Sequence, residues 1–443
     1  MNTPIVDFLK EYSSKNTCRF HMPGHKGKAR LGMENWDITE VSGADSLYEA
    51  GGIIAQSEAN ASSLFGSGAS FYSTEGSSQC IRAMLYLIMQ CRDSDTAPLI
   101  LAARNVHKAF IYAAALLDIR VQWMWAEESS SVCSCPISAA ELEKTLDSME
   151  EKPAAVYITS PDYLGHMADV AALAEICHRH GCLLAVDNAH GAYLHFMAEL
   201  QHPLDLGADI CCDSAHKTLP VLTGGAYLHI SRNLPSSYAA RAKNALALFG
   251  STSPSYLIMA SLDACNTYLF GAFPTALAEF SEKLKTVKNR ISQHGWRVEE
   301  SDALRLTLNA PGIELAELLR ERGIEPEYAD NDYLVFMLTP ENTADELAYL
   351  ESVLLSMEPV LKEKPYFEFP VSKSCLSIRE AVMAETEIVP VSEALGRICA
   401  SPMVSCPPAI PIVVSGERIG EKELKLLEYY GLNSIEVIKV PGT

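Results

Sequence analysis

Lysine does covalent chemistry only where its amine is kept off the solvated surface, and Lys217 stands in such a place. It follows Ser214-Ala215-His216 directly after an apolar run ending at Asp213, and it precedes Thr218-Leu219-Pro220. The amine is thereby set at the rim of a sheet, where it can condense with a carbonyl, whereas an isolated lysine reads as a solvated residue. Asp187 closes another apolar run, Leu183-Leu184-Ala185-Val186, and precedes Lys217 by 30 residues, about one strand-helix-strand repeat. A carboxylate there can keep a pyridinium nitrogen protonated, or it can cap a turn together with Asn188. Upstream, Gly76-Ser77-Ser78 opens a segment whose Ile81, Met84, Leu85 and Ile88 form an apolar stripe. Free N–H groups and the helix dipole at such a start suit a phosphate, although N-capping by serine is the commoner reading taken alone. His107 follows the apolar run Leu99 to Ala102 and could lie flat on a ring; a lone histidine is more often a hydrogen-bonded structural residue. Together a phosphate cradle, a ring stacker, an acidic partner for a ring nitrogen and a lysine stand in the chain order that a pyridoxal phosphate site requires.

The elements that must position these groups are legible as alternation. From about residue 70 to 230, short apolar runs alternate with amphipathic segments, the pattern of a parallel sheet covered by helices. The clearest unit starts at Ala155-Val156-Tyr157-Ile158 and continues into a helix with Val170, Leu173, Ala174 and Cys177 at i, i+3, i+4 and i+7. Gly181 ends that helix, and Leu183 to Val186 is the next strand. Ligands of such sheets bind beyond the carboxyl ends of the strands, where Asp187, Lys217 and His107 are expected. A helical region is expected from about 255 to 293, and strands at Leu304 to Leu308 and Tyr333 to Leu338 flank a helix around 313 to 322. Near the end come a helix around 421 to 430 and a strand from Ser434 to Val440. Ser129-Ser130-Ser131 reads as a surface loop. Residues 1 to about 50 read as an ordered arm with little regular structure. The division expected is an arm over 1–50, a large cofactor-binding domain over 51–293 and a small domain over 294–443.

Composition narrows the class. A chain of 443 residues exceeds one ordinary core and can bury a large site. Its net charge of −21 opposes a nucleic-acid partner but not a small cationic substrate. No window reaches the roughly 18 to 20 apolar residues of a spanning helix, and the start does not read as a secretory signal, so the cytoplasm is expected. The 13 cysteines are scattered without zinc-finger spacing; Cys133 with Cys135 and Cys211 with Cys212 read as buried thiols, and no metal site is expected.

The chain resembles the Orn/Lys/Arg decarboxylases of fold type I, in their short form without an N-terminal wing domain. The resemblance runs over nearly the whole length, through Phe20-His21-Met22-Pro23-Gly24-His25-Lys26-Gly27, Gly76-Ser77-Ser78, Arg104-Asn105-Val106-His107-Lys108, Asp187-Asn188-Ala189-His190-Gly191, Ser214-Ala215-His216-Lys217-Thr218-Leu219-Pro220 and the tail Pro407-Pro408-Ala409-Ile410-Pro411 with Gly416-Glu417. It implies an α/β large domain on a mainly parallel seven-stranded sheet, with a small C-terminal α/β domain. It also implies that Lys217 carries the cofactor, that Asp187 binds the ring nitrogen, and that Gly76, Ser77, Ser78 and Ser214 hold the phosphate. His107 would stack on one face of the ring and Ala189 on the other. His190 would belong to the cofactor set, and His216 would be a proton donor beside the reacting carbon. The implied activity is decarboxylation of arginine, lysine or ornithine by a homodimer or larger homo-oligomer. An aminotransferase, a carbon–sulfur lyase or a silent regulatory homologue remains the alternative. The chain departs from the family at Gly224-Gly225, at Asp162 in Pro161-Asp162-Tyr163, and at Ala409.

Overall fold

The computed structural model describes residues 1–91, 98–126, 131–361, 363, 372–401 and 410–439. Ser129, Ser130, Pro407, Pro408 and Ala409 therefore lie outside the described residues. Seven short strands make the main sheet: β1 Ala69–Ser73, β2 Leu99–Ala103, β3 Arg120–Met124, β4 Ala155–Thr159, β5 Leu183–Asp187, β6 Ile210–Asp213 and β7 Ala226–Ile230. Their order is β1-β7-β6-β5-β4-β2-β3. Strands β4, β5 and β6 are buried on nearly every residue, as in sheets covered on both faces. The chain divides into two compact units, Met1–Asp93 with Leu183–Phe280, and Ser94–Cys182 with Ser281–Thr443.

In the first unit β7 is antiparallel to both β1 and β6, and β6 is parallel to β5. Strands β1, β5 and β6 thus point the same way, and Ser73, Asp187 and Asp213 finish at one edge. A helix, Gly76–Gln90, leaves β1 at that edge and buries Ile81, Met84, Leu85 and Ile88, the expected stripe. The region expected to be helical holds two helices, Tyr256–Phe270 and Phe273–His294.

The arm is more regular than its composition suggests. Pro4–Ser14 is a helix with proline in its first turn and Ile5, Val6 and Leu9 buried. The carboxylate of Asp263 accepts the Ile5 and Val6 N–H groups at 2.9 and 3.0 Å, which supplies the N-terminal partner that Thr3 does not. Local sequence could not show this, because the cap is 258 residues away. From Lys15 to Gly52 the arm contains no helix or strand, as expected.

In the second unit β2 is parallel to both β3 and β4. The helix Val170–Arg179 buries Val170, Leu173, Ala174 and Cys177, and Gly181 follows it at φ +70°. A three-stranded antiparallel sheet joins β8 Arg305–Asn309, β9 Tyr328–Ala329 and β10 Tyr333–Met337, with the expected helix at Gly312–Arg320. Strand β11, Thr386–Pro390, pairs antiparallel with β12, Ser434–Ile438. Their buried Val389, Ile435 and Val437 share a core with Leu164, Tyr328 and Tyr333. Asp162 is explained by the loop after β4: its Oδ1 accepts the Leu164 and His166 N–H groups at 2.9 Å each, and its Oδ2 lies 3.0 Å from His166 Nδ1.

Candidate cofactor site

The edge where β1, β5 and β6 end gathers most of the residues singled out in the sequence. The turn after β1 brings Gly76 to φ +72°, a conformation that favours glycine, and leaves open space where a side chain would begin. The Gly76 N–H donates to Gly224 O at 2.8 Å, which fixes the start of the helix. Ser77 and Ser78 occupy its first turn, and Ser214 reaches across from the end of β6 with its Oγ 2.8 Å from Ser77 Oγ. Two hydroxyls from different strand ends thus converge at the positive end of a 15-residue helix.

Asp187 ends β5 with its side chain almost wholly buried, and its Oδ1 accepts the Ala189 N–H at 3.2 Å. A carboxylate at the floor of an open strand edge is placed to receive a protonated ring nitrogen. Asn188 is tied to β6 twice, through its N–H to Cys212 O at 3.0 Å and through Nδ2 to Asp213 Oδ1 at 2.7 Å. Ser214 lies in a short turn that carries His216 and Lys217, both partly buried. Lys217 Nζ lies 2.9 Å from His190 Nε2, so the turns after β5 and β6 meet at the amine. His216 Nδ1 lies 3.1 Å from Gly225 O; because a carbonyl only accepts, Nδ1 carries a hydrogen. Gly224 and Gly225 therefore shape this turn. A Cβ on Gly224 would come 2.8 Å from Thr74 O, and one on Gly225 2.3 Å from Val221 Cγ1. The donor set fits pyridoxal phosphate: hydroxyls and helix N–H groups for the phosphate, a buried acid for the ring nitrogen and an amine for the aldehyde.

His107 belongs to the second unit, four residues past β2. Its Nδ1 accepts the Ala109 N–H at 3.1 Å and caps the helix Lys108–Leu117. Sequence reasoning passed over a buried ion pair just upstream. Arg104 donates to Glu417 Oε2 at 3.2 Å, to Pro411 O at 2.9 Å and to Ile412 O at 3.1 Å. Its guanidinium carbon lies 5.2 and 5.0 Å from the rings of Trp123 and Trp125. Burial pushes the Glu417 carboxyl upward, and Arg104 and the Val414 N–H only partly offset it. Glu417 was noticed as part of a tail motif; its partner could have been suspected from Arg104 directly after a buried strand.

The sequence matches the family model described as Orn/Lys/Arg decarboxylase, major domain, over residues 3–306, and that described as Orn/Lys/Arg decarboxylase, C-terminal domain, over residues 364–442. The chain belongs to the Orn/Lys/Arg decarboxylase family. An uncharacterized protein, YaaO, and an arginine decarboxylase, both of Bacillus subtilis, are each 29% identical to it over 96% of this chain, covering 94% and 93% of their own lengths. Among solved structures, the lysine decarboxylase LdcF of Francisella novicida superposes with a TM-score of 0.81 at 17% identity, covering 99% of this chain and 81% of its own. Lysine decarboxylase A of Pseudomonas aeruginosa gives 0.80 at 18% identity over 98% and 80%. The expected fold type I architecture is thereby borne out, as are the family, its pyridoxal phosphate cofactor and its reaction, decarboxylation of basic amino acids. Among the described residues no helix is long and apolar enough to cross a membrane.

Proposed function

We propose that this Orn/Lys/Arg decarboxylase anchors its cofactor through Lys217 and takes arginine as its first substrate. The observation that carries the assignment is the meeting of three strand ends of the first unit, which sets Ser77 with Ser214 and Lys217 with His190 near the buried Asp187. Arginine is supported by the arginine decarboxylase among the relatives; lysine and ornithine complete the substrate class.

When bound, pyridoxal phosphate supplies an electron sink for the pair released as the carbon–carboxylate bond breaks. The chain's own residues do the rest. Ser77, Ser78, Ser214 and the N–H groups opening the Gly76–Gln90 helix hold the phosphate, and Gly76 keeps that approach clear. Asp187, kept from water, favours a protonated ring nitrogen by its charge. Lys217 donates the anchoring amine, and His190 orients it at 2.9 Å. His216, its Nδ1 hydrogen bonded to Gly225 O, would relay a proton taken up from water to the substrate carbon that has lost carbon dioxide. Ala189 is assigned to one face of the ring.

The test combines chemistry and mapping. Borohydride reduction of the cofactor-loaded protein followed by peptide mapping should place the label on Lys217, and carbon dioxide release should exceed keto-acid formation from arginine, lysine and ornithine. A label on another lysine, or keto acid as the main product, overturns the reading. A cytoplasmic homodimer completes the proposal, supported by exposed Phe20 and Leu31 on the arm, 96% and 84% accessible; light scattering of the purified protein reads the oligomer. The boundaries 1–50, 51–293 and 294–443 are proposed as its domains, to be checked by limited proteolysis.

A further inference from the structure

Asp213 ends β6 one residue before Ser214, and it is fully buried. Three donors meet its carboxylate. Asn188 Nδ2 reaches Oδ1 at 2.7 Å, while His202 Nε2 and His229 Nε2 reach Oδ2 at 3.1 and 3.2 Å. Both imidazoles are buried, and the Phe65 ring packs on them with centroids 5.7 and 4.5 Å away. Burial alone would push the carboxyl upward; the hydrogen bonds donated by His202 and His229 act the other way and favour the carboxylate. The carboxylate is thus a fixed negative acceptor with both oxygens occupied.

The same cluster could suggest a metal, since donor atoms of His202, Cys211 and Asp213 lie within 4.8 Å of one another. The hydrogen bonds argue otherwise. The Leu204 N–H donates to His202 Nδ1 at 3.4 Å, so that nitrogen holds a lone pair and Nε2 carries the hydrogen. A neutral histidine bound to metal through Nε2 would instead carry its hydrogen on Nδ1.

We propose that Asp213, gripped by His202 and His229, is a positioning residue for the cofactor site: through Asn188 it sets the turn bearing Asp187 and His190 against the turn bearing Ser214 and Lys217. The inference rests on the reading of Lys217 and Asp187 given above. The Asn188 amide also depends on Gly191: a Cβ there would come 2.1 Å from Asn188 Oδ1, so glycine leaves the room this side chain occupies. The link is electrostatic as well as steric, since a charged acceptor holds an amide more firmly than a neutral one.

The experiment uses the full chain with two independent readouts. Hydrogen exchange of the cofactor-free protein reads the Ala189 amide, which donates to Asp187 Oδ1. Steady-state decarboxylation of the loaded enzyme reads kcat and KM separately. Asn188→Ala should speed exchange at Ala189 by roughly tenfold and lower kcat by roughly tenfold, with KM within about twofold. Asn188→Asp should be worse, because it sets two carboxylates face to face. Adding Asp213→Asn to it should recover most of that loss by restoring the bond with reversed polarity. Should Asn188→Ala be insoluble, His202→Phe removes one support from the other side and should move both readouts the same way. Unchanged exchange and kcat in Asn188→Ala, or a double variant no better than Asn188→Asp, overturns the proposal. So does one equivalent of metal per chain that is lost with His202→Phe. A borohydride label away from Lys217 instead defeats the underlying assignment, and the exchange result stands apart from it.

Discussion

Replacing Arg104 with methionine keeps an unbranched stem but removes the guanidinium and leaves Glu417 buried without its cation. The pair is closed on both sides, 8% and 2% exposed, and Arg104 also serves the carbonyls of Pro411 and Ile412. Removing one partner of a buried pair costs about 3–5 kcal/mol, because the survivor keeps its desolvation penalty. Protonation limits that cost. Burial already raises the Glu417 carboxyl, and losing Arg104 raises it further, so the folded variant binds a proton more tightly than the unfolded chain. Stability of the variant is then best below the unfolded carboxyl value and falls as pH rises through the raised one, so its deficit should be smaller near pH 5 than near pH 8. At about 2–4 °C per kcal/mol for a domain of this size, a deficit of about 4 kcal/mol lowers Tm by roughly 8–16 °C near pH 8. Glu417→Gln, which keeps the shape, should cost only about 1–2 kcal/mol. The pair Arg104→Met with Glu417→Met should be less damaged than Arg104→Met alone. Scanning calorimetry at both pH values reads all three. A Tm for Arg104→Met within a few degrees of the parent at pH 8, or a double variant no better than Arg104→Met alone, refutes the reasoning.

Burial lowers the Lys288 amine to about 8, although it donates to Asp302 O at 2.9 Å. Between about pH 8 and the unfolded value near 10.4 the unfolded chain binds more protons, so stability should rise with pH across that window. Lys288→Met should flatten this rise in urea titrations, and parallel curves would count against it. Gly224→Ala forces a Cβ to 2.8 Å from Thr74 O at φ +96°, disturbing the carbonyl that holds the Gly76 N–H. Cofactor Kd should rise at least about tenfold in a spectral titration, and an unchanged Kd contradicts the role given to that turn. Thr343→Ala removes half of a capping box, the bond from the Glu346 N–H at 3.2 Å, and should cost about 1 kcal/mol by calorimetry.

The strand ends were legible because a polar residue closing an apolar run is conspicuous: Asp187 and Lys217 stand where chemistry interrupts burial. The serines after Gly76 were legible because small hydroxylated residues before an apolar stripe announce a helix start. What the sequence concealed depends on distant partners. His202 and His229 read as scattered histidines until the fold sets both against Asp213. Arg104 and Glu417 are 313 residues apart, and no local pattern joins them. The helix Pro4–Ser14 is likewise completed by Asp263, so its propensity alone understated it.

The discontinuity of the first unit bears on how the protein is made. Strand β1 has its pairing partner in β7, about 160 residues later, with Ala69 opposite Ile230. At synthesis rates of about 5–20 residues per second, the nascent β1 waits on the order of ten seconds or more before that partner leaves the ribosome. The Ile5 and Val6 amides wait longer still for Asp263. Contacts of such long sequence separation fold slowly and leave sticky edges in the interim. A nascent chain stopped before β7 would keep that edge uncovered, making it a natural client for a chaperone.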